Sequence, residues 1–275
     1  NDFGYHSART QEGITLRGRC WKALLGTKTE KDPYFILLNE LISSKDQKLK
    51  DDIIQIDRDI TRTFKGSNFV TEEMLCRLKR ILAAFHAEMT EKIYIQGMNS
   101  VAGALLCVMP ELDAYFCYKE LINHHVPTYH CRATNEYPGM AGSNYGVAIV
   151  ILILEKIDPD LFEHLHGHSA NMTKFTQCTH MVFSLGGSTP GINGLLRLWD
   201  VLFVLGFHIN PVICAVRIMQ KRESLLEDQN PFNQLTVKGY FGAQGDLNST
   251  AEETIRKIMP VLTILMNEEK LYNII

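Results

Sequence analysis

The sequence predicts an all-α fold, a two-lobed bundle of about a dozen short helices. Apolar residues recur at steps of three and four, as along one face of a helix, most clearly between Thr71 and Met89. No stretch keeps a strand-like alternation of apolar and polar residues for more than a few positions. Residues typical of helix starts and ends punctuate the chain, and the elements they mark are too many and too short for a four-helix bundle.

The clearest predicted helix follows Thr71 and presents a single apolar stripe. The stripe consists of Met74, Leu75, Leu78, Ile81, Leu82, Phe85 and Met89. Later in the chain, Gly206 is predicted to end a helix that begins near Gly191, because glycine readily adopts the backbone conformation that closes a helix.

Three further helices are marked by residues typical of helix starts. Asp158 and Asn210 each stand directly before a proline, which predicts an N-cap residue followed by proline in the first turn. Ser249 precedes Glu252 by three residues, the spacing of a capping box ahead of the apolar pattern Ile255–Leu265.

Turn-forming residues concentrate in the segment Thr128–Asn144, where we expect a connection between two lobes. We therefore predict a single domain preceded by a disordered lead-in. The predicted bounds are 1–12 for the lead-in, 13–275 for the domain, and about 13–130 and 143–275 for its N-terminal and C-terminal lobes.

Composition excludes several classes of protein. The 275 residues carry 28 Lys and Arg against 31 Asp and Glu, a net charge of −3, without the basic stripe that nucleic-acid binding requires. The longest apolar run, Val147–Leu154, is much shorter than the roughly 20 residues of a membrane-spanning helix. We expect no nucleic-acid partner, no transmembrane segment and a cytoplasmic protein. The seven cysteines include no Cys-x-x-Cys pair, which favours reduced, buried thiols.

His164, His166 and His168 suggest a metal site at first sight, because imidazole is the commonest metal ligand. At steps of two, however, side chains on a helix point about 200° apart, so all three cannot share one helix face. Gly167 indicates a helix end between them, where histidines suit the negative end of the helix dipole. We predict no metal site.

Two short segments carry side chains suited to act on another molecule. Asp59 precedes Arg62 by three residues, so its carboxylate can hold the guanidinium in one orientation. Gln96 precedes Gly97, and a glutamine amide at such a turn can donate and accept hydrogen bonds, for example to orient a water molecule. Taken singly, the first pattern also fits a surface ion pair, and the second a loop before a buried helix.

Taken together, the order and separation of these segments resemble the TBC domain of Rab-family GTPase-activating proteins. The matching residues follow that family's two fingerprints, I-x-x-D-x-x-R and Y-x-Q-G, and they are Ile56, Asp59, Arg62, Tyr94, Gln96 and Gly97. The segment 16–26 around Trp21 is similar to the family's opening helix, and Arg197, Trp199 and Asp200 match its R-x-W-D segment. The resemblance covers about residues 13–230.

The resemblance implies a GTPase-activating protein that stimulates GTP hydrolysis by a Rab-like small GTPase. Arg62 would act as an arginine finger and Gln96 as a glutamine finger, both inserted in trans. Among the supporting residues, Asp59 would orient Arg62, Gly97 would let the glutamine backbone approach the partner, and Tyr94 and Asn99 would brace the loop. The residues assigned to packing are Ile56, Trp21, Arg197, Trp199 and Asp200.

The same resemblance implies an activator that is not itself an enzyme and has no cofactor of its own, since the partner GTPase carries GTP and Mg²⁺. Val108–Phe116 and Leu195–Phe203 resemble the subgroup that acts in the spindle-position checkpoint and mitotic exit. That subgroup implies a scaffold subunit as a second partner and recruitment to a membrane surface, a spindle pole or a basal body. Family membership at large implies vesicle trafficking.

Two alternatives stay open at this point. A catalytically silent TBC scaffold would bind a small GTPase or a checkpoint partner without activating it, although both fingers are present in this sequence. A helical-repeat adaptor would show a repeating period, and the sequence contains none.

Overall fold

The computed structural model describes most of the chain, and the predicted lead-in 1–12 lies outside the described residues. Described are residues 13–43, 46–64, 70–89, 94–131, 140–169, 174–176, 178–186, 191–235 and 247–267. The chain divides between Ala141 and Gly142 into two compact units. The predicted connection Thr128–Asn144 is described only at its two ends.

The first unit is built around one long helix. Its helices are α1 (Leu16–Leu24), α2 (Lys31–Ser43), α3 (Gln47–Ile60), α4 (Glu72–Glu88), α5 (Met98–Leu106) and α6 (Glu111–Glu120), which continues as a π-helical turn, Leu121–His125. Helices α2, α3, α5 and α6 all pack against α4. The α4 residues Leu78, Ile81, Leu82 and Phe85 are fully buried, which confirms the predicted apolar stripe. Thr71 caps α4, accepting a hydrogen bond from the Met74 amide at 3.2 Å.

The second unit contains eight further α-helices among its described residues. They are α7 (Ala141–Ile157), α8 (Pro159–Gly167), α9 (Thr179–Phe183), α10 (Ile192–Leu205), α11 (Asn210–Met219), α12 (Arg222–Glu227), α13 (Phe232–Leu235) and α14 (Leu247–Met266). Helix α14 packs against α10 and α11, α9 packs against α11, and α12 against α8. The described part of the chain thus holds fourteen α-helices and no strand, which confirms the all-α prediction. None of the described helices is long and apolar enough to cross a membrane.

One predicted helix start, at Asp158, and one predicted helix end, at Gly206, are confirmed. The Asp158 side chain accepts a hydrogen bond from the Leu161 amide at 3.2 Å and caps α8, with Pro159 in the first turn. Gly206 ends α10 with φ of +99°, a conformation that side chains disfavour, and its amide bonds to the Leu202 carbonyl at 2.8 Å.

At the other two predicted starts a helix does begin, at Asn210 and at Leu247, but neither Asn210 nor Ser249 is its N-cap residue. Asn210 is fully buried inside the first turn of α11, and its Nδ2 donates to the Val182 carbonyl at 2.8 Å, so the side chain ties α11 to α9 instead of capping α11. Helix α14 begins at Leu247, which places Ser249 within its first turn. Serine and glutamate are common throughout first turns, so their three-residue spacing alone did not fix the boundary.

The residues assigned to packing occupy different environments. Ile56, Trp21 and Trp199 are buried, and the Trp199 indole donates to the Leu185 carbonyl at 2.8 Å. Arg197 is half exposed and forms an ion pair with Glu252, which links α10 to α14. Asp200 is partly buried.

All seven cysteines are free. Cys107, Cys117, Cys178 and Cys214 are buried, and burial raises the pKa of the Cys178 and Cys214 thiols to about 12. Such thiols stay protonated near neutral pH, so these two residues act as small apolar side chains.

Candidate functional site

The candidate site is built from the end of α3 and the turn that precedes α5. Helix α3 is strongly amphipathic, with Ile56 fully buried and Asp59 only 1% exposed. After Ile60 the chain makes a turn, in which the Arg62 amide bonds to the Asp59 carbonyl at 3.1 Å and the Thr63 amide to the Ile60 carbonyl at 3.0 Å. This turn leaves the Arg62 side chain 59% exposed.

Two contacts with α3 hold the Arg62 guanidinium in place. Its Nη2 forms an ion pair with the buried carboxylate of Asp59, and its Nε donates to the Arg58 carbonyl at 3.3 Å. A guanidinium has five N–H donors, so these two contacts leave three without a partner among the described residues. Arg62 is therefore oriented by the protein and keeps donors for another molecule.

Asp59 also accepts hydrogen bonds on its other oxygen. Gln55 Nε2 and the Tyr94 hydroxyl both donate to Asp59 Oδ2 at 3.2 Å. Burial, followed by the negative charge of Asp59, raises the pKa of Tyr94 well above its usual value. Tyr94 thus remains a neutral hydrogen-bond donor, and it connects α3 to the turn that carries Gln96.

The second part of the site is the turn Ile95–Met98. The Met98 amide bonds to the Ile95 carbonyl at 3.1 Å, and Gly97 has φ of +123°, which side chains rarely adopt. The Gly97 amide donates to Asn99 Oδ1 at 2.9 Å, so the first residues of α5 fix the turn. Gln96 is exposed on this turn.

Asn99 joins the two parts of the site. Its Nδ2 donates to Thr63 Oγ1 at 2.8 Å and to the Asp59 carbonyl at 3.4 Å, while Thr63 Oγ1 donates to the same carbonyl at 3.1 Å. Both side chains are buried. The segments that carry Arg62 and Gln96 are therefore linked twice, through Asp59 with Tyr94 and through Thr63 with Asn99.

The structure thus brings Asp59, Arg62, Tyr94, Gly97 and Asn99 into one hydrogen-bonded network and leaves Gln96 exposed at its edge. The sequence analysis missed two members of the network. Gln55 lies four residues before Asp59 on the same helix face, a spacing that sequence reasoning could have used. Thr63 is separated from Asn99 by 36 positions, and no local pattern announces that pairing.

Within the described ranges, no group of three or more His, Cys, Asp or Glu side chains is arranged to hold a metal ion. The His164 and His168 rings, four residues apart, lie 4.7 Å from each other, whereas the His166 ring stacks on Phe162 at 5.7 Å. The three histidines therefore do not share one helix face, as expected from their spacing.

A fixed, exposed guanidinium and an exposed amide on two linked segments are suited to stabilise negative charge and orient water on another molecule. The model of the Rab-GTPase-TBC domain matches residues 14–226, well over half of the chain. The chain belongs to the Rab-GTPase-TBC domain family. The resemblance of the motifs to a TBC domain is thereby confirmed.

Relatives of this TBC domain include mitotic checkpoint proteins. The chain is 36% identical over 220 residues to the protein assigned as mitotic check point protein BUB2 in Dictyostelium discoideum, covering 79% of this chain and 56% of the relative. It is 26% identical over 195 residues to the mitotic check point protein BUB2 of Saccharomyces cerevisiae, covering 66% and 61%. The resemblance to the checkpoint subgroup is confirmed, and this chain spans about three fifths of the relatives' length.

The fold of the TBC domain also matches a solved structure. The crystal structure of the Ypt/Rab-GAP domain of Gyp1p superposes with a TM-score of 0.68 at 17% identity, covering 90% of both chains. At this level of identity the match establishes the fold.

Proposed function

We propose that this TBC domain activates a small GTPase by supplying Arg62 and Gln96 to the partner's GTP site. One observation carries the proposal: Arg62 is 59% exposed and held from behind by the buried carboxylate of Asp59. The guanidinium is thus both oriented by the protein and accessible to another molecule. The fingerprints of the family and the linked geometry of the two segments support the same role.

Arg62 would act on charge that develops during hydrolysis. The transferring phosphoryl group spreads negative charge over its oxygens, and a permanent, planar cation stabilises that charge without any proton transfer. Because Asp59 and the Arg58 carbonyl already fix the guanidinium, little rotational entropy is lost when it enters the partner's site. Arginine fingers in general raise the rate by about 10³ to 10⁵.

Gln96 would position the attacking water. Its amide can accept a hydrogen bond from water and donate one to the phosphate, as a glutamine does in many small GTPases. Gly97, with φ of +123° and no side chain, lets this turn approach the partner closely.

The activator would hold no nucleotide of its own. The sequence contains no G-x-x-x-x-G-K-[ST] loop, the usual phosphate cradle of GTPases. GTP and Mg²⁺ would arrive with the partner. The mitotic checkpoint proteins among the relatives favour a Rab-like GTPase of mitotic control over one of vesicle trafficking. The resemblance of the motifs to the checkpoint subgroup further implies a scaffold subunit as a second partner.

The test is phosphate release from a panel of GTP-loaded Rab-type and mitotic-exit-type small GTPases. We expect the wild-type chain to stimulate at least one member, and R62A to lose about 10³-fold of that stimulation. R62K should also fail, because an ammonium lacks the planar fork of donors.

The matched control is R77A, which removes a half-exposed arginine of α4 whose ion pair, among the residues that the structure describes, is with Glu73 of the same helix. This variant should retain wild-type stimulation. Full activity of R62A and R62K would overturn the arginine assignment. Binding of a GTPase by the wild-type chain without any stimulation would indicate the catalytically silent scaffold.

A further inference from the structure

The turn that carries Arg62 ends at a residue with an unfavourable backbone conformation. Phe64 has φ of +49°, in the left-handed region that a bulky residue enters only when its surroundings hold it there. The side chain of Phe64 is partly buried. Its surroundings therefore determine the conformation of this turn.

Phe64 is held by a helical glycine. A Cβ atom placed on Gly103 of α5 would lie 2.8 Å from Phe64 Cε2 and 3.4 Å from Thr63 Cγ2. The first distance is shorter than van der Waals contact, so the phenyl ring occupies the space that any other residue at position 103 would fill. The missing side chain of Gly103 thus leaves a space on α5, here called the Gly103 seat, that the Phe64 ring fills. The backbone flexibility of glycine plays no part in this contact.

The seat and the Asn99 hydrogen bond lie on the same face of α5. Asn99 and Gly103 are four residues apart, one helical turn. Asn99 binds the Thr63 hydroxyl, and Gly103 receives the neighbouring Phe64 ring. The same helix begins directly after the Gln96 turn, so one rigid element fixes both finger segments.

We propose that Phe64 is a positioning residue, which sets the Arg62 turn relative to Gln96 by docking its ring on Gly103. The inference rests on the proposed GTPase activation. It adds two residues, Phe64 and Gly103, that lie outside both fingerprints. Neither residue touches the partner's nucleotide in this account, and both act through the placement of Arg62.

The test uses G103A, which fills the seat with one methyl group. The ring of Phe64 can swing away, so the fold should survive while the turn shifts. A misplacement of about 1 Å can cost on the order of 10²-fold in rate. We expect kcat for stimulated hydrolysis to fall by about 10- to 100-fold, with KM for the GTPase nearly unchanged.

The matched control is G146A in α7 of the second unit. A Cβ on Gly146 would lie 2.6 Å from Val182 Cγ1, so this variant crowds a helical glycine in the same way, but in the unit that does not contain Arg62 and Gln96. It should lower thermal stability without lowering kcat. An equal loss of kcat in G146A would contradict the inference, because the effect would then be general.

Two variants of Phe64 test the coupling of the pair. F64A should lower kcat as G103A does, and the double variant F64A/G103A should be no worse than F64A alone, because the ring that the methyl displaces is gone. F64L/G103A should recover part of the kcat lost in G103A, since a leucine is shorter than a phenyl ring. Independent, additive losses would overturn the proposal.

Hydrogen exchange gives a readout that does not depend on activity. In G103A the amides of residues 61–64 should exchange faster than in wild type, while the amides of residues 49–57 in α3 should exchange at the wild-type rate. In G146A the amides of residues 61–64 should also exchange at the wild-type rate. Unchanged exchange in G103A overturns the inference whatever the kinetics show. A wild-type chain that stimulates no GTPase, with the expected exchange pattern, contradicts only the proposed function.

Discussion

Asp59 accepts hydrogen bonds from three side chains although it is almost completely buried. A buried carboxylate is costly unless donors compensate its charge, and Arg62, Gln55 and Tyr94 provide that compensation. The charge of Asp59 therefore serves two purposes, since it joins the segments of the site and orients the guanidinium. Neutralising this carboxylate should therefore affect rate and stability together.

The first prediction concerns D59N. Asparagine keeps the shape but presents an NH₂ group where one oxygen accepted hydrogen bonds, so at least one donor to position 59 loses its acceptor. We expect the free energy of unfolding to fall by about 1–3 kcal/mol in urea titrations. Stimulated phosphate release should fall at least about 10-fold, because Arg62 loses its orienting partner.

Asp57 supplies the control on the same helix. It is half exposed and pairs with Lys79 across the surface of the unit, so D57N should cost less than about 1 kcal/mol. D57N should also keep its stimulatory activity. Wild-type kcat in D59N would show that the carboxylate does not orient the finger.

The spacing of residues in the sequence predicted some of the contacts in this site but not all of them. The interval between Asp59 and Arg62 predicted their pairing because residues three apart meet on a helical turn, and the structure places them in contact. Phe64 and Gly103 could not be found in this way. Their contact depends on how α5 packs beside the end of α3, and a glycine in an apolar helix gives no sign of what fills the space beside it.

At the scale of the element, α8 shows how one side chain fixes a helix start. The Asp158 carboxylate accepts a hydrogen bond from the Leu161 amide and so caps α8. It also accepts a hydrogen bond at 2.9 Å from Nε of Arg222, the first residue of α12. The cap stabilises the start of α8 itself, whereas the ion pair stabilises the packing of α8 against α12. Two substitutions separate these contributions.

The second prediction is that D158A lowers the free energy of unfolding by about 1–2 kcal/mol, because it removes both the cap and the ion pair. D158N should lose less than half as much, since asparagine caps helices as well as aspartate does. Thermal or urea unfolding measures both values. Equal losses in the two variants would mean that the ion pair, and not the cap, stabilises this helix start.

Helix positions were predictable where local chemistry decides them. The stripe from Met74 to Phe85 and the caps at Asp158 and Gly206 depend only on neighbouring residues, and the structure confirms them. Asn210 differs because a distant carbonyl, that of Val182, competes for its side chain. Helix α14 starts two residues ahead of Ser249, and the local pattern did not distinguish an N-cap from a first-turn residue.

At the scale of the molecule, both proposed catalytic side chains come from the first unit. Their linkage through Asp59, Tyr94, Thr63 and Asn99 is complete within that unit. The sequence predicted the all-α class because helical periodicity runs through the whole chain, and it predicted the family because the two fingerprints occur in the right order. The choice of GTPase depends on surface contacts that no short motif encodes.

The proposed function requires that the surface carrying Arg62 and Gln96 be complementary to the transition state of GTP hydrolysis, and not merely to a GTPase. Aluminium fluoride beside GDP stands in for the transferring phosphoryl group. The most direct measurement is therefore the Kd for the partner GTPase bound to GDP, with and without aluminium fluoride, using the panel member that binds best.

We predict that aluminium fluoride tightens binding of the wild-type chain and of R77A by at least about 100-fold, as expected for a transition-state analogue. R62A and Q96A should each lose most of this gain while still binding the GTP-loaded partner. A wild-type chain whose affinity does not respond to aluminium fluoride would contradict the account and identify the domain as a scaffold.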